Sequence, residues 1–227
     1  MNALHQFLFG IYPYIALAIF LLGSLVRFDR EQYSWKSDSS QLLRRGQLRL
    51  GNNLFHVGVL LLFMGHLTLL VPKEMYHFVG LTTEGKQMLA IVAGTVFGLA
   101  AFSGLVLLVH RRLTEPRVRA TSSRMDIFIL LWILATLTLG LITIPFSLAH
   151  PDGSVMVALA TWAQHIVTFR SGAADFIADV PAIYRVHLFF GMTMFLLFPF
   201  SRLVHVWSGF GAVAYLRRPY QLVRTKS

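Results

Sequence analysis

The chain has 227 residues, of which 56% are hydrophobic and only 13% charged, and its mean hydropathy is +0.62. An ordinary soluble domain carries about 25% charge, so the composition excludes disorder and argues against a soluble enzyme; the net charge of +10 reads as charge beside a membrane, not as a nucleic-acid surface. Cysteine is absent, which removes disulfides, Cys-ligated iron–sulfur clusters, covalently attached haem and thiol nucleophiles.

Five stretches are long and apolar enough to cross a hydrocarbon core of about 30 Å. They run over Phe7–Val26, Asn53–Val71, Gln87–Val109, Ile127–Ala149 and Ile183–Trp207. The first lacks a basic flank and more spans follow it, so it reads as a span and not as a cleaved signal. Within the third, Gly94 and Gly98 form a GxxxG that permits close helix packing. Between the fourth and fifth, Val155–Val167 is apolar but too short to cross. It reads as a short amphipathic helix in the outer 150–182 loop. The expected fold is an all-α integral membrane bundle of five transmembrane helices, a single domain over residues 1–227.

Charge orients the bundle. Residues 27–51, 110–126 and 208–227 carry fifteen Lys and Arg, whereas the N-terminus, 72–86 and 150–182 carry three: Lys73, Lys86 and Arg170. The positive-inside rule then places the N-terminus in the periplasm and the C-terminus in the cytoplasm. The basic stretches are candidate docking surfaces for a cytoplasmic partner, although lipid attraction explains much of such charge.

Nine histidines are present, and four of them, His56, His66, His187 and His205, fall within spans two and five. Ionisable groups inside a span are costly and point to function. His56 and His66 are separated by about 15 Å of helical rise and His187 and His205 by about 27 Å. Spans two and five are antiparallel, so His56 pairs with His205 toward the cytoplasm and His66 with His187 toward the outside. Two helices presenting one histidine each at two depths suit two six-coordinate haems. Gly65, Gly191 and Gly58 leave room for a porphyrin, and Arg111, Arg112 and Arg202 are candidate propionate partners. The two spacings differ by about 12 Å, which helix tilt, inclined haem planes or a kink at Pro199 would absorb. Interhelical hydrogen bonding, a zinc site and a proton-relay transporter are weaker readings. The spans carry almost no carboxylate and no thiolate.

The strings Ile11-Tyr-Pro-Tyr14, Gln32-Tyr-Ser-Trp35, Ser39-Ser-Gln41, Asn53-Leu-Phe-His56, Pro116-Arg-Val-Arg-Ala-Thr121, Thr143-Ile-Pro-Phe-Ser147, Phe198-Pro-Phe-Ser-Arg-Leu-Val-His205 and Tyr220-Gln-Leu-Val-Arg224 carry a further signal. Through them the chain resembles, end to end, the gamma subunit of respiratory nitrate reductase, the membrane cytochrome b of that complex. The resemblance implies two b haems, a proximal one on His56 and His205 and a distal one on His66 and His187. It also implies oxidation of menaquinol or ubiquinol near the distal haem, in the bacterial inner membrane, with protons released outside. Electrons would pass to an iron–sulfur beta subunit and a molybdenum-containing alpha subunit on the cytoplasmic face. Where the family has a glycine shortly after the distal histidine, this chain reads Leu67-Thr-Leu-Leu70, and Thr82-Thr-Glu-Gly85 also diverges.

Lys86, at the outer end of span three, has no topological reason to be cationic there. The resemblance places a quinol-site lysine at this position, with His66 and Gly65 beside it. Its three donors suit a quinone oxygen. A related cytochrome b of sulfur metabolism and a haem-free membrane anchor are the alternatives.

Overall fold

A computed structural model describes residues 2–30 and 45–207. The basic stretch 31–44 and the tail 208–227, both expected docking surfaces, lie outside the described residues, as do the strings Gln32–Trp35, Ser39–Gln41 and Tyr220–Arg224.

Among the described residues the chain is helical and contains no strand. Helix α1 (Ala3–Gln6) passes through one π turn, Phe7–Ile11, into α2 (Tyr12–Arg30), and α3 (Arg45–Leu67) follows. A short α4 (Lys73–Phe78) leads into α5 (Thr83–Thr114). The Thr82 hydroxyl caps α5 by accepting from Gly85 N at 3.0 Å, and the helix stops at Glu115, ahead of Pro116. After α6 (Pro116–Ala120) comes α7 (Arg124–Leu148), opened by a capping box in which Ser123 and Asp126 satisfy each other's backbone N–H. Helices α8 (Ser154–Val167) and α9 (Ala182–Leu197) complete the set. Five helical stretches are long and apolar enough to cross a membrane: Ala3–Arg30, Leu48–Leu70, Thr83–Thr114, Arg124–Leu148 and Ala182–Phe200.

The spans pack in a row: α3 on α5, α5 on α7, α7 on α9, and α9 back on α2. Helices α3 and α9 make no extensive contact with each other among the described residues. The α3–α5 crossing is tight because it is built from small residues. A Cβ at Gly58 would stand 2.7 Å from Ala101 N and Phe97 O, and one at Gly104 would run into Phe55 N and Gly51 O. Gly58, expected to make room for a porphyrin, therefore serves the helix crossing. The GxxxG is split between two surroundings, since Gly98 faces Leu141 of α7 and a Cβ on Gly94 would meet nothing within 4 Å. Outward-facing leucines such as Leu21, Leu22, Leu60, Leu89 and Leu99 are exposed on the bundle, as lipid contact requires.

Helix α8 forms where the apolar 155–167 stretch lies. Its buried Trp162 and Ile166 pack with Phe9, Ile177 and Tyr184, and Trp162 Nε1 donates to Phe9 O at 2.9 Å. In the turn before it, hydrogen bonds from Ser154 hold the Asp152 carboxyl below its usual range.

The fifth span departs from the sequence expectation. The helix does not run unbroken to Trp207. It ends at Leu197, Phe198–Phe200 wind as a 3-10 turn, Ser201 is extended (φ −120, ψ 176), and Arg202–Trp207 form a second 3-10 segment. Pro199 supplies no N–H and cannot continue an α-helix. The carbonyls released at the break are taken up by Arg27, whose Nη1 donates to Pro199 O at 2.7 Å and to Ser201 O at 2.8 Å. In hydrocarbon such carbonyls need internal donors.

Candidate functional site

Across the space between α3 and α9 the structure brings four imidazoles together in two pairs. His56 faces His205 with ring centroids 6.2 Å apart, and His66 faces His187 at 6.1 Å. The same ring nitrogen is tied down in all four. Nδ1 donates to Asn52 O in His56 (2.9 Å), to Leu62 O in His66 (2.7 Å), to Thr136 O in His187 (3.1 Å) and to Arg202 O in His205 (2.6 Å). A carbonyl only accepts, so each ring is held as the Nδ1–H tautomer with its lone pair on Nε2. Histidines that ligate metals are oriented in this way by their second nitrogen.

The separation is also informative. Two imidazoles that shared one metal ion between them would need their ring centres about 6 Å apart. Both pairs match that figure. Among the described residues no three His, Asp or Glu converge on a point, so the donor sets are strictly pairs. Beside the rings, a Cβ at Gly65 or Gly191 would meet nothing within 4 Å, which leaves space for a flat macrocycle. The donor chemistry, the spacing and the room all fit axially ligated haem.

Both pairs can meet because of the break after Leu197. On an unbroken helix His205 would lie about 27 Å from His187, far beyond the rise between His56 and His66. With the helix ended at Leu197, His205 sits in a 3-10 segment and reaches its partner from a different backbone direction. The expected single helical face does not exist; a kink at Pro199 does.

Two features of the His187 environment are not readable from hydropathy. Its Nδ1 bond crosses to α7, where Thr136 supplies the carbonyl, and its ring lies against Gly140, one turn on, where a Cβ would stand 3.0 Å from Cε1. At the opposite end, Asp126 organises the arginines expected near propionates. Arg202 grips it with both Nε, at 2.7 Å from Oδ1, and Nη2, while Arg112 Nη1 donates to Ser122 Oγ at 2.8 Å and stands 3.8 Å from Asp126 Oδ2. Arg111 is buried beside them in sequence. The Ser-x-x-Asp pattern at 123–126 was the available sign of Asp126.

Lys86 lies at the end of the bundle occupied by His66 and His187. It is only 7% exposed. Its Nζ donates to Thr68 O at 2.9 Å and sits 4.1 Å from the centre of the Tyr76 ring. No carboxylate pairs with it among the described residues. Thr68 joins this group to Gly65, since its hydroxyl donates to Gly65 O at 2.7 Å. The divergent Leu67–Leu70 run thus supplies the turn that holds the lysine. Gln164 of α8 braces the same turn through Nε2, which donates to Leu69 O at 3.0 Å. Tyr76 carries no sequence signal, and Gln164 stands out only as a polar residue in an otherwise apolar stretch.

The sequence matches the family described as "Nitrate reductase gamma subunit" over residues 5–226. The chain belongs to the nitrate reductase gamma subunit family. It is 51% identical over its whole length to the respiratory nitrate reductase 1 gamma chain of Escherichia coli K12, covering all of that protein. It is 47% identical to the respiratory nitrate reductase 2 gamma chain of the same strain, with 98% of each chain covered. To the nitrate reductase gamma chain of Bacillus subtilis 168 it is 37% identical, covering 98% of this chain and 99% of that one. A gamma chain is one part of a multi-subunit oxidoreductase, and five long apolar helices make this one a multi-pass membrane protein.

Proposed function

We propose that this chain is the quinol-oxidising, two-haem cytochrome b of a respiratory nitrate reductase in a bacterial inner membrane. The observation that carries this reading is the paired imidazole geometry: two facing pairs about 6 Å apart, every Nδ1 fixed on a carbonyl. Nε2 of His56 and His205 would hold the proximal haem b, and Nε2 of His66 and His187 the distal one. Haem so held supplies one-electron transfer between two depths of the bundle.

The rest falls to the protein. Lys86 carries a nearly buried charge with no acid against it, and two of its three hydrogens remain beyond the bond to Thr68 O. An oxygen of menaquinol or ubiquinol is the partner such a group lacks, and negative charge growing there during oxidation is stabilised by it. Gly65 keeps the approach open and His66 places the electron acceptor at this level. At the other end Arg112 is the propionate partner we favour, since the fork of Arg202 is given to Asp126. The fifteen-to-three charge asymmetry supports a periplasmic Lys86 end and a cytoplasmic Arg202 end. Electrons would then leave toward beta and alpha subunits on the cytoplasmic face, where an iron–sulfur subunit and a molybdenum subunit reduce nitrate.

The test is haem content of the purified complex. A pyridine haemochrome assay should return two acid-acetone-extractable haems per gamma chain. His66→Ala or His187→Ala should remove one, and His56→Ala or His205→Ala the other. One haem or none in the intact wild-type complex overturns the reading and leaves a membrane anchor.

A further inference from the structure

Resting on the reading of Lys86 as the quinol site, we propose that Tyr76, Thr83 and His77 form the path by which protons leave that site for the surface. The Tyr76 ring lies under the Lys86 ammonium, 4.1 Å from Nζ to the ring centre. Tyr76 and Thr83 are both 8% exposed, so the hydroxyls sit in the same closed region as the lysine. Thr83 Oγ1 stands 3.5 Å from the Tyr76 hydroxyl and 3.2 Å from His77 Nε2. His77 itself is exposed. The threonine hydroxyl thus stands between a buried phenol and a surface imidazole.

The order of these groups sets the direction of transfer. A hydroxyl donates one hydrogen and accepts through its oxygen, so Tyr76 can donate to Thr83 while Thr83 donates to Nε2 of His77. Oxidation of one quinol releases two electrons and two protons. The electrons would pass singly to the one-electron acceptor that His66 and His187 would hold. Each proton passes from the quinol oxygen to the Tyr76 oxygen as Tyr76 gives its own proton to Thr83 and Thr83 gives its own to His77, which sheds it to water. Imidazole is the side chain suited to release a proton near neutral pH.

The charges around this route agree with it. Lys86 discourages a proton from staying beside the quinone, since the two charges are alike. Lys86 itself, bonded to a carbonyl and lying on an aromatic face, has no acceptor among the described residues to which it could pass a proton outward. The hydroxyl pair does.

The experiment uses the intact complex in liposomes and compares nitrate reduction driven by a short-chain quinol with that driven by a reduced viologen feeding the cytoplasmic subunits. Thr83→Val keeps the methyl packing and removes the hydroxyl. Quinol-driven kcat should fall by about tenfold or more, on the scale of a lost proton-transfer group. Quinol KM, haem content and viologen-driven rate should hold, and the solvent deuterium isotope effect should rise. Thr83→Ser should restore the rate. His77→Gly should lose quinol-driven turnover and recover it with added imidazole, which a folding defect would not do. Unchanged quinol turnover in Thr83→Val overturns the relay alone, as does a loss with no isotope effect and no imidazole rescue. If the wild-type complex fails to reduce its haem with quinol, the site reading falls and the relay with it.

Discussion

The two histidine pairs have nearly the same spacing yet are held by different means. His56 and His205 each bond a carbonyl three or four residues back in their own segment, so each ring is oriented locally. His66 does the same. His187 alone depends on another helix, taking Thr136 O of α7 as its acceptor and lying against Gly140. The His56–His205 pair relies instead on a backbone break, kept in place by Arg27 on two carbonyls and by Asp126 on Arg202. One pair is positioned by helix packing and the other by polar repair of a broken helix. The histidines alone do not fix the geometry of a pair; the carbonyl behind each ring does.

The comparison can be broken most severely at a ligand. His187→Ala in the intact complex should abolish one haem and bring quinol-driven turnover to background, with the other haem still visible in the reduced-minus-oxidised spectrum. Loss of both signals together would mean that the pairs are not independent. Next comes Lys86→Ala, which should lower quinol-driven turnover by about a hundredfold or more, the scale for losing one donor at a site of developing charge. Haem content and viologen-driven turnover should hold. Loss of the distal haem instead would give the lysine a structural role.

Arg27→Met strands two carbonyls at about 1–3 kcal/mol each. It should lower the occupancy of the His56–His205 haem and the melting temperature of the subunit while sparing the His66–His187 haem. Equal loss at both sites would contradict local repair. The smallest effect is expected for Gly140→Ala, where the added methyl must move the His187 ring by a few tenths of an ångström, an overpacking of about 1–3 kcal/mol. The low-spin electron paramagnetic resonance signal of the distal haem should shift and that of the proximal haem should not. Identical spectra would show that Gly140 does not constrain the ring.

Much of this arrangement was written in the sequence as pattern. Apolar runs of about twenty residues located all five spans, because length and hydropathy are local properties. The grouping of His56 with His205 and His66 with His187 followed from antiparallel order, which needs no packing detail. What stayed hidden was tertiary or depended on local backbone. Thr136 and Gly140 look like ordinary span residues until α9 is laid against them. Arg27 counted only as topological charge, yet it saturates the break after α9. Pro199 marked a possible kink, but only the extended Ser201 turns it into a change of chain direction. Tyr76, Thr83 and His77 fell in a short connecting region that periodicity does not resolve.

The residues around Lys86 come from one short stretch of chain. Gly65, Thr68, Tyr76, Thr83 and Lys86 are all in place once α5 has been made. The histidine pairs join residue 56 to 205 and 66 to 187, so neither is complete until α9 has been synthesised and threaded into the bilayer. Assembly therefore has an order: the group around Lys86 can form early on the nascent chain, whereas neither histidine pair can close before translation is nearly finished. A ribosome stalled after α7 would leave the turn beside Lys86 without the brace of Gln164 and both histidine pairs open.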